Sequence, residues 1–264
     1  MKSSFFESLV KIYFSCIMLS EKGAELMNLE NSIMVSDGHI CTPVVYLSRG
    51  ERKVTLVGAC HLGLISYYEH IQSLLDSHEE QGFVVTFEGV DWSDMSRFLA
   101  LFGYDDEESR LLDNRFTELL KSEFGFSGQV KIITPRKSWI FTDSLFTPIA
   151  ADYPRSDNAS IAKTIEVVAA NPKAFFEKFR DGIIATIEGG SLSSPLSKLE
   201  ERNNEAMSAI MQLSIERDVV SCWGANHLVG MVRMLLVEGF EIISIEWLPF
   251  LPISLPDNKS PTQV

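Results

Sequence analysis

A chain of 264 residues falls within the range of one α/β domain, and a hydrophobic content of 45% supplies a sizeable core, which excludes a wholly disordered polypeptide. The formal net charge of −13 argues against a protein that tracks nucleic-acid phosphates with a basic face. Cys16, Cys41, Cys60 and Cys222 share no CxxC spacing, so neither a zinc ribbon nor a disulfide framework is expected, a pattern that fits a reducing compartment.

Taken in order, residues 1–30 read as an amphipathic helix with Phe6, Leu9, Val10, Tyr13 and Ile17 on one face. Glu7 and Lys11 interrupt its apolar run, unlike the unbroken centre of a secretory signal. No stretch reaches the ~20 apolar residues of a membrane span, so a soluble cytoplasmic protein is expected. Ser32–Val35 and Ile40–Leu47 read as strands joined by a turn at Asp37-Gly38. Lys53–Val57 is a third strand. Apolar residues at 64, 67, 68, 71, 74 and 75 predict an amphipathic helix capped by Gly82, and Phe83–Phe87 reads as a central strand.

Ser93–Glu123 is helical in pattern, with Asp105, Asp106, Glu107 and Glu108 as a solvated turn or helix start. Val130–Ile133 reads as a short strand, followed by a proline-punctuated loop through Pro154. Ser160–Ala170 and Ala174–Glu188 predict two helices broken at Asn171-Pro172, with Gly189-Gly190-Ser191 as a linker. Ser194-Pro195 opens another helix running to about Ile215. A helix over Leu228–Val237 and a strand over Ile242–Trp247 complete a single catalytic domain spanning 31–255, with a disordered tail over 256–264.

One short pattern occurs twice. Gly58-Ala59-Cys60-His61 and Gly224-Ala225-Asn226-His227 each close an apolar run. Each is followed by a helical pattern, then Gly-Phe, then an apolar run ending in a glutamate, Glu88 or Glu246. The expected fold is therefore α/β, a mixed sheet flanked by helices, built from two strand–GxxH–helix–strand units that face each other across one site. A histidine just past a strand's carboxyl end lies where open α/β sheets hold ligands.

If the units meet, His61, His227 and Glu88 converge as two imidazoles and a carboxylate, ligands suited to a divalent ion such as manganese, cobalt, zinc or iron. Such an ion would activate water and polarise a carbonyl, as hydrolysis requires. Arg202 falls on the apolar face of its helix, between Leu199 and Ala206, so it must be paired or line a cavity. Glu88 would bind the ion or act as general base on its water, and Arg202 would hold Glu88 or stabilise an oxyanion. Glu246 ranks below Glu88 because its spacing from the glycine is one longer. His39, His70 and His78 read as incidental, and Cys60 beside His61 is poorly placed for a Cys–His pair.

These residues resemble the TraB/PrgY/Tiki superfamily. The features shared are Gly58–His61, Glu88, Arg202 within Glu200-Glu201-Arg202-Asn203-Asn204, and Gly224–His227, with Trp139 and Asp143 between them; the likeness runs from Val54 to Trp247. The resemblance implies a fold related to erythromycin-esterase and ChaN-like proteins, with both motifs at one site. Tiki members are metal-dependent proteases, PrgY members restrain peptide pheromones, and other relatives are hydrolases or bind haem. It implies metal roles for His61, Glu88 and His227 and a site role for Arg202. Unlike Tiki and PrgY, this sequence has no stretch that reads as a membrane anchor. The expected function is a metal-dependent hydrolase of peptide bonds, with a peptide or small-molecule substrate as its partner and no nucleic acid. The alternatives are a metal-free esterase with a histidine base, a sequestering module for a short peptide or haem, and a purely structural role for the motifs.

Overall fold

The computed structural model describes residues 31–89, 107–143, 158–189 and 196–255. The expected helix over 1–30, Asp105 and Asp106, the loop through Pro154, the cap at Ser194-Pro195 and the tail over 256–264 lie outside them. Within them the chain is α/β, with helices on both faces of a seven-stranded mixed sheet. Among the described residues no helix is long and apolar enough to cross a membrane.

A tight turn at Asp37-Gly38 joins β1 (Met34–Ser36) to β2 (His39–Arg49), and β2 turns back into β3 (Arg52–Ala59). After a three-residue strand, β4 (Leu62–Leu64), helix α1 (Ile65–Glu80) buries Tyr67, Tyr68, Ile71 and Leu75. This is the 3.6-residue stripe read from the sequence. Gly82, at φ +91°, ends α1: its N–H bonds to the carbonyl of Glu79 and that of Phe83 to His78, and the chain enters β5 (Val84–Phe87), buried throughout.

Helix α2 (Glu107–Phe124) follows, with Glu107 and Glu108 exposed in its first turn. Then come β6 (Phe126–Gly128), the single turn α3 (Gln129–Ile132) and β7 (Ile140–Phe141). The strand expected over Val130–Ile133 is thus corrected to a helical turn, and the strand is the three residues before it. Those three pair antiparallel with β4. A short apolar run does not distinguish strand from helix by periodicity, and here the partner strand decided. Helices α4 (Asn158–Ala170) and α5 (Pro172–Gly189) break at Asn171, whose side-chain oxygen accepts the N–H of Ala174, with Pro172 at the first helical position.

The last elements are α6 (Leu196–Leu213), β8 (Val219–Gly224), α7 (Ala225–Val237) and β9 (Glu241–Pro252). Helix α7 is buried on nearly every side, which accounts for its lack of polar spacing. It begins at Ala225 rather than Leu228, so His227 lies inside its first turn. Gly239 ends α7 as Gly82 ends α1, with Phe240 donating to the carbonyl of Leu235.

Across the sheet the order is β9, β2, β3, β8, β5, β7, with β1 against the start of β2. Strands β3, β8, β5 and β7 run parallel. The connection from β3 through α1 moves towards β7, whereas that from β8 through α7 moves towards β9. Because parallel crossovers share one hand, opposite directions put the two helices on opposite faces. The core divides accordingly. One cluster joins α1 to Val57, Val85, Phe87, Val220 and the aromatic residues of α2 and α5; the other joins α6 and α7 to Val54, Leu56, Val219 and Trp223.

Candidate functional site

The register of β3 on β8 places the two GxxH motifs side by side. Gly58 is opposite Trp223 and Ala59 opposite Gly224. The expectation that the two units oppose each other face to face is therefore corrected: they are neighbours on parallel strands, and their helices leave towards opposite faces. Adjacent strands whose connections diverge in this way open a crevice at their carboxyl ends. Each of the four parallel strands ends there in a polar side chain within three residues: His61 after β3, His227 after β8, Glu88 after β5 and Asp143 after β7.

Close packing fixes the motif glycine of the first copy. A Cβ on Gly58 would lie 3.0 Å from the carbonyl oxygen of Pro43 and 3.1 Å from Cδ2 of Leu228 in the second unit. The Tyr67 hydroxyl donates to the carbonyl of Gly58 at 2.9 Å and the Tyr68 hydroxyl to that of Cys60 at 2.7 Å, which tie the loop down. Gln129 then grips His61 twice. Its N–H donates to the His61 carbonyl at 3.0 Å, and its side-chain oxygen faces His61 Nδ1 at 3.3 Å.

Glu88 continues the pairing of β5 on β8, its N–H donating to the carbonyl of Cys222 at 3.0 Å. Its Oε2 accepts the N–H of Gly224 and its Oε1 a guanidinium N–H of Arg202. Gly224 itself has φ −50° and ψ 133°, which any residue adopts, so its backbone N–H rather than its flexibility serves the site. Arg202 also donates Nε–H and Nη2–H to Asp143, at 3.2 and 2.6 Å, and lies over the Trp223 ring, 5.7 Å from its centroid. The apolar-face position of Arg202 thus reflects a guanidinium clamped between two carboxylates, while Ala206, Met207 and Ile210 of the same helix enter the core.

His227 is fully buried. Its Nδ1 faces the Asn203 side-chain oxygen at 2.6 Å, and its Nε2 stands 3.6 Å from Glu88 Oε1 without a hydrogen bond. His61 is near enough for its charge to act on both Glu88 and His227. Burial pushes the Glu88 carboxyl up, but Arg202, His227, His61 and the Gly224 N–H together pull it down to about 2. Burial lowers His227 to about 4 despite the neighbouring Glu88 carboxylate, so the imidazole is neutral at pH 7. Asp143 is raised by burial and by the nearby Glu88 and Glu205, against the pull of Arg202.

Of the four residues named from the sequence, Glu88, Arg202 and His227 are drawn together, and His61 acts on Glu88 and His227 electrostatically. Glu246 is not among them: it lies on β9, exposed, beside Tyr46 and His70. His39 bonds its own turn, and His78 bonds the Leu74 carbonyl on α1 and the Thr55 hydroxyl on β3. The sequence alone gave no role to Asn203 or Gln129, and Asp143 entered only through the family resemblance. Asn203 carries the one available signal, a polar residue next to Arg202 on a helix whose other inward positions are apolar.

Comparison with protein-family models, with curated proteins and with solved structures finds no match.

Two imidazoles and a carboxylate are ligand types that a divalent ion takes, though among the described residues they are not gathered into a closed set. Both histidines have Nδ1 against an amide oxygen, which leaves Nε2 as the lone-pair nitrogen, the arrangement by which metal-binding imidazoles are oriented. The separation of 3.6 Å between His227 Nε2 and Glu88 Oε1 is close to the ~3.4 Å between ligands that each lie about 2.1 Å from a tetrahedral ion. The same Oε1 is, however, also the acceptor for Arg202. Among the described residues no group of three His, Cys, Asp or Glu side chains is gathered tightly enough to hold a metal.

Proposed function

We propose that the chain is a metal-dependent hydrolase of the TraB/PrgY/Tiki superfamily, acting on peptide bonds, with the paired-motif architecture of erythromycin-esterase and ChaN-like proteins. The observation that carries this reading is that His61, His227, Glu88 and Asp143 follow the carboxyl ends of the parallel strands β3, β8, β5 and β7, with Arg202 of α6 bridging Glu88 and Asp143.

His61 and His227 would hold manganese, cobalt or zinc through Nε2, with Glu88 as the anionic ligand. When bound, the ion supplies Lewis acidity at a scissile carbonyl and acidifies water. Arg202 fixes the Glu88 carboxylate and offsets part of the charge that Glu88 and Asp143 bring into the site. The protonation states favour ligand roles over general-base roles. A base working near neutrality needs a pKa near the operating pH, and Glu88 at about 2 and His227 at about 4 are both too weakly basic. A neutral imidazole and an ionised carboxylate are what a divalent ion requires. The same values disfavour a metal-free esterase built on His227.

One observation favours a second reading. Both Glu88 oxygens are committed to protein donors, which suits a preorganised binding module for a short peptide or haem.

The test uses the full chain and a His61→Ala, His227→Ala double variant. Each is measured for metal content after incubation with manganese, cobalt or zinc, and for cleavage of a peptide library. About one ion per chain, lost in the variant, together with peptide cleavage, is the expected result. No bound ion and no cleavage would overturn it, and saturable peptide binding without turnover would establish the binding module.

A further inference from the structure

The deepest polar contact of the site joins α6 to α7. Asn203 is nearly inaccessible and His227 wholly so, and they meet at 2.6 Å through Asn203 Oδ1 and His227 Nδ1. An amide oxygen only accepts, so the imidazole must carry its proton on Nδ1. Its other nitrogen is then an acceptor. The surroundings agree. Nε2 lies 3.6 Å from Glu88 Oε1, too long for a hydrogen bond, and that oxygen already receives a guanidinium N–H. An Nε2–H proton in this position would be expected to draw the carboxylate to hydrogen-bond length.

Helix α7 is shaped to admit the amide. Gly230, one turn after His227, has no Cβ, and a Cβ built there would overlap Nδ2 of Asn203. Glycine is disfavoured inside a helix relative to alanine, and here it opens the space through which α6 reaches the imidazole. Two residues on separate helices, Asn203 and Gly230, thus serve the orientation of a third.

We propose that Asn203 is a positioning residue: it locks His227 in the Nδ1–H tautomer and aims the Nε2 lone pair at the point faced by Glu88 Oε1, with Gly230 providing the room. Two acceptors so placed make a preformed half-site for a cation or for the O–H groups of a water. The importance of that half-site to catalysis rests on the hydrolase reading; the tautomer itself does not.

The experiment reads the tautomer directly. The full-length protein is labelled with 15N-histidine, assigned with His227→Gln, and long-range proton–nitrogen correlations are recorded near neutral pH without added metal. Wild type should show one pyrrole-like nitrogen, Nδ1, and one pyridine-like nitrogen, Nε2, at His227. Asn203→Ala should shift the signals towards the Nε2–H pattern or an average of both forms, and Gly230→Ala should do the same by displacing the amide. Asn203→Asp keeps an acceptor oxygen and should retain the Nδ1–H pattern. An Nε2–H tautomer in wild type, or an unchanged pattern in folded Asn203→Ala, overturns the proposal. If Asn203→Ala fails to fold, the wild-type spectrum and Asn203→Asp still decide it. Because no metal or substrate is needed, the expected spectrum in a protein without bound ion or cleavage would refute the hydrolase while leaving this assignment standing.

Discussion

Arg202→Met removes a guanidinium shared by two buried carboxylates and keeps most of the side chain's volume. In the folded protein Glu88 is held at about 2 against an ordinary 4.5, a difference of about 3 kcal/mol in favour of the ionised form. Arg202 is the largest of the groups that pull this carboxyl down against burial, so losing it forfeits much of that difference at neutral pH. Asp143, also buried and also held by Arg202, adds to the loss. Breaking a buried ion pair from one side typically costs about 3–5 kcal/mol, and we expect a loss in that range. Urea unfolding followed by the fluorescence of the buried Trp139 and Trp223 measures it. The deficit should narrow near pH 4, where the variant relieves the unpaired charge by taking up a proton that wild type does not yet bind. Adding Glu88→Gln should recover part of the loss, as a coupling of about 1–3 kcal/mol in a double-mutant cycle. A neutral-pH deficit under about 1 kcal/mol, or no coupling between the two sites, would refute the reasoning.

Wild-type stability should fall with acidification in two steps. Both groups have depressed pKa values in the fold, so the unfolded chain takes up protons first: between pH 6.5 and about 4 for His227, and between 4.5 and about 2 for Glu88. Each step is worth about 3 kcal/mol, and urea midpoints that stay level from pH 7 to pH 4 would contradict the first. Gly58→Ala should cost about 1–3 kcal/mol, since its Cβ would press on the Pro43 carbonyl at 3.0 Å and on Leu228 at 3.1 Å. A melting temperature equal to wild type would show that β2 and α7 give way freely. Thr86→Val should lose about 1–3 kcal/mol, because it strips the Ser221 hydroxyl of its buried 2.6 Å partner; an unchanged denaturation curve would mean that this hydroxyl finds another.

Much of this was legible before any coordinates. The strand–turn–strand at Asp37-Gly38, the amphipathic stripe of α1 and its glycine stop at Gly82 are local physics, legible in the residues themselves. Arg202 was legible for the same reason: a charge on an apolar helix face needs a partner, and it has two. What sequence could not carry was long-range pairing. Strand β6 exists because β4 lies opposite it, and nothing within Phe126–Ile133 alone says which half is extended. The arrangement of the two motifs was misjudged on similar grounds, since repeated sequence suggests two opposed halves whereas strand order puts them abreast. Asn203 stayed hidden because its meaning depends on a missing Cβ, at Gly230, on another helix.

The strand order has a kinetic side. Among the described strands, β8 is the sole bridge between β9–β2–β3 and β5–β7, because β3 and β5 never pair with each other. A chain emerging from the ribosome therefore holds β1–β2–β3 apart from β5 and β7 until residues 219–224 arrive to be inserted between them, and β9 is added last. That insertion closes a long loop and places a slow, non-local event late in folding. The same step delivers Gly224 to Glu88 and His227 to Asn203, so the polar cluster is completed only when the sheet becomes continuous. A nascent or partly unfolded chain would carry His61 and Glu88 without the second motif between them.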